Sequence, residues 1–242
     1  MSSQKGIKDV RLDVLGLLLA GLINTFLAFI DAALILGPGT TSLQPEVLDR
    51  AGWIAEHTLR WQAGWSFWFA VTLSFAWSYY ALGRHLRSSP PWRSLAIGLA
   101  LIAAAVDLVG VLVNMAVLPT LAEALIENLN GGVESVLVVF QSMENLANAL
   151  TNVVAFGMYS LAGLLLLPAM AASTAYPRWL VWLGTAEWGI ALIAALLLVV
   201  SPTLATVPLL VSFLLYAPWV WGSGFWLYRE SSPGNAGPET FG

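Results

Sequence analysis

The residues able to do chemistry in this chain are few, and their spacing is regular. Asn24 and Asp31 stand seven residues apart, as do Asp107 and Asn114, so each pair falls on one face of a helix. Gln141, Asn145, Asn148 and Asn152 follow one another at intervals of four, three and four. On a helix that is a polar stripe roughly 16 Å long, at 1.5 Å per residue. Glu144 precedes Asn148 by one turn and borders the stripe. Carboxylates and amides in this pattern can hold a polar headgroup by hydrogen bonds, or exchange a proton as part of a binding cycle. Glu56 and His57, with Asp31, Asp107 and Glu144, also offer one imidazole and four carboxylates to a hard or borderline cation. No HxxxH, ExxH or HExxH spacing occurs, so no metal site is assigned.

Other chemistries fail on simpler grounds. The chain has no cysteine, which removes disulfides, thiolate metal sites and thiol catalysis. Its only histidines, His57 and His85, fall at opposite ends of one helix. Twenty-eight residues separate them, roughly 42 Å along a helix, so they cannot ligate one haem. No GxSxG, Walker A or dinucleotide-binding pattern is present. No cofactor is indicated, and whether the chain is an enzyme is left open.

The elements that must position these groups follow from composition. Of 242 residues, 58% are hydrophobic and 10% charged, with a mean hydropathy of +0.77. A soluble domain carries about 25% charge, and a chain of this length cannot bury so much apolar surface in water. The expected fold is all-α, a polytopic integral membrane protein. Six runs reach the ~20 apolar residues a spanning helix needs, near 12–36, 59–82, 93–117, 136–167, 179–200 and 204–228. They are too long for barrel strands. One transmembrane domain is expected over 1–230, and the Gly-, Pro- and Ser-rich stretch 231–242 reads as a disordered tail.

Basic residues set the orientation. Lys5, Lys8, Arg11, Arg84, Arg87, Arg93, Arg178 and Arg229 fall on one side of this six-span layout, eight of the ten Lys and Arg. Only Arg50 and Arg60 fall on the other. The basic side marks the cytoplasm, which places both termini inside and the protein in a cell inner (plasma) membrane. The opposite side is acidic, with Glu46, Asp49, Glu56, Glu123, Glu127 and Glu134. Trp53, Trp61, Trp92, Trp179, Trp219, Trp221 and Trp226 are expected at the two interfaces as anchors. Two long connections, 37–58 and 119–135, lie on the outer side. The second places Leu121 and Leu125 at helical spacing and is expected to cap the bundle, with Asn130-Gly131-Gly132 as the turn that follows. No repeat relates the first three helices to the last three.

With this orientation the polar groups segregate by depth. Asp31, Asp107, Asn114, Glu144 and Asn148 all fall in the outer half, where Arg60 is the nearest base and the expected partner of Asp31 or Asp107. Buried charge in a bilayer costs roughly 2.5–3.5 kcal/mol on insertion scales, so such groups face the bundle interior or a wet cavity. Glu187, in the inner half, is expected to bond to Tyr216 or Ser212. Trp61, Trp65 and Trp68 recur at helical spacing and could receive an apolar chain. The resulting expectation is an outward-facing pocket of Asp31, Arg60, Asp107, Asn114, Glu144 and Asn148 that binds or transports a small polar or amphiphilic ligand. Two alternatives are an accessory subunit of a larger membrane complex and a carboxylate/metal membrane enzyme. The expected partners are the lipid bilayer, a small amphiphilic ligand or lipid, and other membrane subunits. A net charge of −4 gives nothing for nucleic acid to bind.

Overall fold

The computed structural model describes residues 2–40, 46–86, 90–128, 133–173 and 175–230, which are almost entirely helical and contain no strand. The expected tail at 231–242 and the turn at 130–132 lie outside the described residues. Five helices are long and apolar enough to cross a membrane: α1 (Val10–Leu36), α4 (Pro91–Glu127), α5 (Val133–Ala172), α6 (Arg178–Val200) and α7 (Pro202–Glu230). Between them lie α2 (Val47–Glu56) and α3 (Thr58–His85). α3 has 28 residues, the length of its neighbours, but its Trp, Tyr, Ser and Gln content lowers its hydropathy.

The six long helices form a closed ring in chain order. Each packs on the next, and α7 returns to pack on α1. Neighbours are antiparallel throughout, so α1 begins and α7 ends at the same end of the ring, called here the termini end. At that end Asp13 of α1 is buried and meets Arg84 Nε at 2.7 Å and His85 Nε2 at 2.6 Å on α3. His85 is therefore tied to the first helix, not a free surface group.

Several joints are made by an indole seated on a glycine. A Cβ on Gly163 would collide with Trp188, and one on Gly184 with Trp219; Gly16 and Gly21 receive Trp77 and Trp221 in the same way. Without a side chain, each glycine lets a neighbouring helix place a large ring against its backbone. This corrects the expected anchoring role for several tryptophans. Trp61 and Trp219 are core residues, and Trp221 and Trp226 donate to the carbonyls of Leu18 and Ala175. Trp92 and Trp179 remain exposed.

At the far end the connections differ from expectation. Within the first, Val47–Glu56 forms α2, a helix not assigned from the sequence, whose buried face carries Arg50, Ala51 and Ile54. The second is the prolongation of α4. Leu118, Ala122 and Leu125 on that extension bury themselves against α2, forming a small separate core with Leu36, Trp61 and Phe140.

The far half of the bundle also contains every π-helical turn among the described residues: Leu22–Leu27 and Asp31–Leu36 in α1, Val113–Val117 in α4 and Ala149–Ala155 in α5. A π turn closes its hydrogen bond one residue further along than an α turn and is frequent at functional sites. Asn24, Asp31, Asn114 and Asn152 all sit within these turns.

Candidate functional site

A cavity of about 600 Å³ lies inside the ring in its far half. Its walls are mainly apolar, with Phe29 from α1, Trp65 and Trp68 from α3, Phe156 from α5 and Phe213 from α7. Phe75 and Tyr159, stacked at 5.1 Å between centroids, lie toward the termini end and close it there. Below them the ring is filled by Tyr79, Trp188, Tyr216 and Trp219, packed ring against ring. The cavity therefore opens away from the termini.

Polar groups enter this wall at three points. Asp107 of α4 is buried and its Oδ2 accepts a 2.7 Å hydrogen bond from Thr72 Oγ1 on α3. Asn148 and Asn152 line it from α5, the helix packed beside α4, and Asn152 Nδ2 reaches Asn148 Oδ1 at 3.4 Å. Thr151 lies between them, its hydroxyl donating back to Ala147 O at 3.0 Å. Trp65 and Trp68 line the wall with their rings, their indole N–H groups being buried behind it without a hydrogen-bond partner among the described residues.

The other expected site residues have different surroundings. Glu144 is buried in a two-pronged ion pair with Arg50, Nε to Oε1 at 2.8 Å and Nη2 to Oε2 at 2.6 Å. That pair joins α2 to α5 across the far end. Asn114 is also buried, its amide donating to Gly110 O at 3.0 Å, while its own carbonyl accepts Trp61 Nε1 at 2.7 Å. Arg60 pairs with neither Asp31 nor Asp107. It is exposed, its guanidinium 5.5 Å above the Trp53 ring and donating to the carbonyl of Leu34. That carbonyl belongs to the last turn of α1, where the helix dipole favours a cation. Asp31 is buried, with neither carboxylate oxygen meeting a hydrogen-bond donor among the described residues; Trp68 faces it without closing a bond.

Of the six expected residues, the fold thus brings Asp107 and Asn148 to one cavity. Glu144 and Arg60 serve the rim, and Asn114 stabilises a helix joint. The residues not singled out from the sequence are Thr72 and Thr151, as support and lining, and Arg50 as the partner of Glu144, while Trp65 and Asn152 stand in the aromatic and polar rows but outside the expected site. The repeat of Val47, Ala51 and Ile54 with Arg50 was a usable signal for α2, since three apolar positions and one base share a helical face. Glu187 likewise finds neither expected partner. Tyr216 is bonded to Ser78 at 2.8 Å, Ser212 donates to Leu209 O, and Glu187 Oε2 is left without a bond.

Chemically, the cavity offers a carboxylate and two amides in a mainly apolar chamber. No cluster of three His, Cys, Asp or Glu able to hold a metal occurs among the described residues. The aromatic ladder Trp53–Trp61–Trp65–Trp68, with centroids 6.3, 5.7 and 6.2 Å apart, runs from the rim down into this chamber. Comparison with family models, curated proteins and solved structures gives no match for this chain.

Proposed function

We propose that this chain is a six-span protein of a cell inner (plasma) membrane, with both termini in the cytoplasm, and that its far-end cavity binds or moves a small amphiphile. The observation that carries this reading is the chamber itself. Its volume of about 600 Å³ falls within the range typical of ligand sites, which are largely apolar with a few convergent polar groups. Polar groups within a bilayer are costly and face functional cavities, and Asp107, Asn148 and Asn152 do so here. The sixth span is α3, which at 28 residues is roughly 42 Å long. Its place between α1 and α4 in the ring restores the alternation that the basic residues require.

The test is native mass spectrometry of the protein in lipid nanodiscs, with Asn148→Trp as the comparison. Asn148 is exposed to the cavity, so the larger ring fills the chamber without disturbing a packed core. A bound small molecule present on the parent protein and lost from this variant, at unchanged thermal stability, supports the reading. The same complement of bound molecules on both overturns it.

A further inference from the structure

The contact between the first and last helices changes character along its length. Toward the termini end they are tightly joined: Gly224 packs on Leu17, Trp221 Nε1 donates to Leu18 O at 2.9 Å, and Thr25 Oγ1 donates to Phe213 O at 3.1 Å. Beyond Thr25 the two backbones separate. The cleft they leave is an annex of about 250 Å³, lined by Ala28 and Ala32 of α1 and by Leu209, Leu210 and Phe213 of α7. Alanines on one wall provide the width. Leu210 and Val207 at its margin are 44% and 67% exposed, on a side of the ring that faces hydrocarbon if α1 and α7 span the membrane. The annex adjoins the main cavity through shared walls, with Phe29 and Phe213 standing edge to face at 6.0 Å between the two.

From this geometry we infer that the ligand is a long-chain amphiphile with a hydroxylated, phosphate-free headgroup, its head among Asp107, Asn148 and Asn152 and its hydrocarbon chain in the α1–α7 annex. The inference rests on the cavity being a ligand site. A chain passing sideways from the bilayer into the annex stays in apolar surroundings throughout, so only the head has to be transferred to new partners. The head's chemistry follows from the lining. Among the described residues, neither chamber is lined by Lys, Arg or His, so a phosphate would meet no cation. Asp107 accepts, and the Asn148 and Asn152 amides both donate and accept. Hydroxyls, which donate and accept, satisfy both kinds at once.

The probe is a monoacylglycerol with a diazirine in its acyl chain, cross-linked to the full-length protein in nanodiscs and mapped by peptide mass spectrometry. Excess unmodified monoacylglycerol separates saturable labelling from general lipid contact. Saturable labelling within 28–32 and 209–213 is expected. It should be lost in Leu210→Trp, where an indole occupies the annex from its half-exposed margin, and in Asn148→Trp, where the head chamber is filled. An alkyl phosphate of the same chain length should fail to compete; equal competition by it overturns the headgroup assignment. Saturable labelling confined to other segments overturns the annex, and so does its absence. The cavity reading is judged separately, by whether the molecule retained on the parent protein is lost in Asn148→Trp.

Discussion

Glu144 takes its cation from Arg50, 94 positions earlier in the chain, and not from any basic residue on the spans beside it. The pair is buried and two-pronged, and it fastens a short transverse helix to the mouth of the cavity. Removing one member of such a pair leaves a desolvated charge behind, at a cost of about 3–5 kcal/mol. Arg50→Met and Glu144→Leu should each lower the melting temperature in mild detergent, read from intrinsic tryptophan fluorescence. The double variant should recover part of the loss, since two apolar groups of similar size need no partner.

Asp107→Asn should leave the fold intact. The amide oxygen can still accept from Thr72 Oγ1, so the α3–α4 contact survives while the charge disappears. Melting should stay within about 1 kcal/mol of the parent, the scale of one net hydrogen bond, and amphiphile retention should fall sharply. Thr72→Val should have the converse profile, losing stability by about 1 kcal/mol through an unsupported carboxyl group while the chamber keeps its shape.

Two glycines separate packing from helix propensity. Gly163→Ala drives a methyl into Trp188, which is fully buried, and overpacking of this kind costs about 1–3 kcal/mol. Gly189 on the same helix as Trp188 has nothing within 4 Å of its added Cβ. Gly189→Ala should be neutral or stabilising by up to about 1 kcal/mol, the propensity difference between the two residues. Thermal denaturation of both variants checks the contrast.

Orientation is open to a direct measurement because the chain has no cysteine. Glu56→Cys and Glu230→Cys place single thiols at exposed positions at opposite ends of the ring. In intact cells a membrane-impermeant maleimide should label the first and reach the second only after permeabilisation. Labelling of both from the same side would remove the six-span topology.

The long helices were legible in the sequence because an apolar run of sufficient length is itself the structural signal. The expected 179–200 and 204–228 differ from Arg178–Val200 and Pro202–Glu230 by at most two residues at either end. The fourth helix shows the limit: its apolar run ends at Val117, but the helix continues to Glu127 because Leu118, Ala122 and Leu125 find a partner in α2. Periodicity also placed Asp107 and Asn148 in the half of the bundle that holds the cavity. It gave Glu144 no partner and offered Arg60 to Asp31 or Asp107, because the pairing with Arg50 depends on where α2 rests. Nor could it see the tryptophan–glycine joints, where each half of the contact lies on a different helix and neither half has a local pattern.

The closed ring has a consequence for how the protein is made. Each helix packs on its predecessor, and at one further joint α7, made after the other five long helices, must find α1. Until α7 arrives, the flank of α1 bearing Thr25, Ala28 and Ala32 has only lipid against it, and neither the cavity nor its annex has a complete wall. Five of the joints can form as synthesis proceeds, while the α1–α7 joint spans nearly the whole sequence. The cavity is therefore completed only when α7 joins α1, and a nascent chain halted after α6 would carry an open, five-helix arc that lacks one wall of both the cavity and its annex.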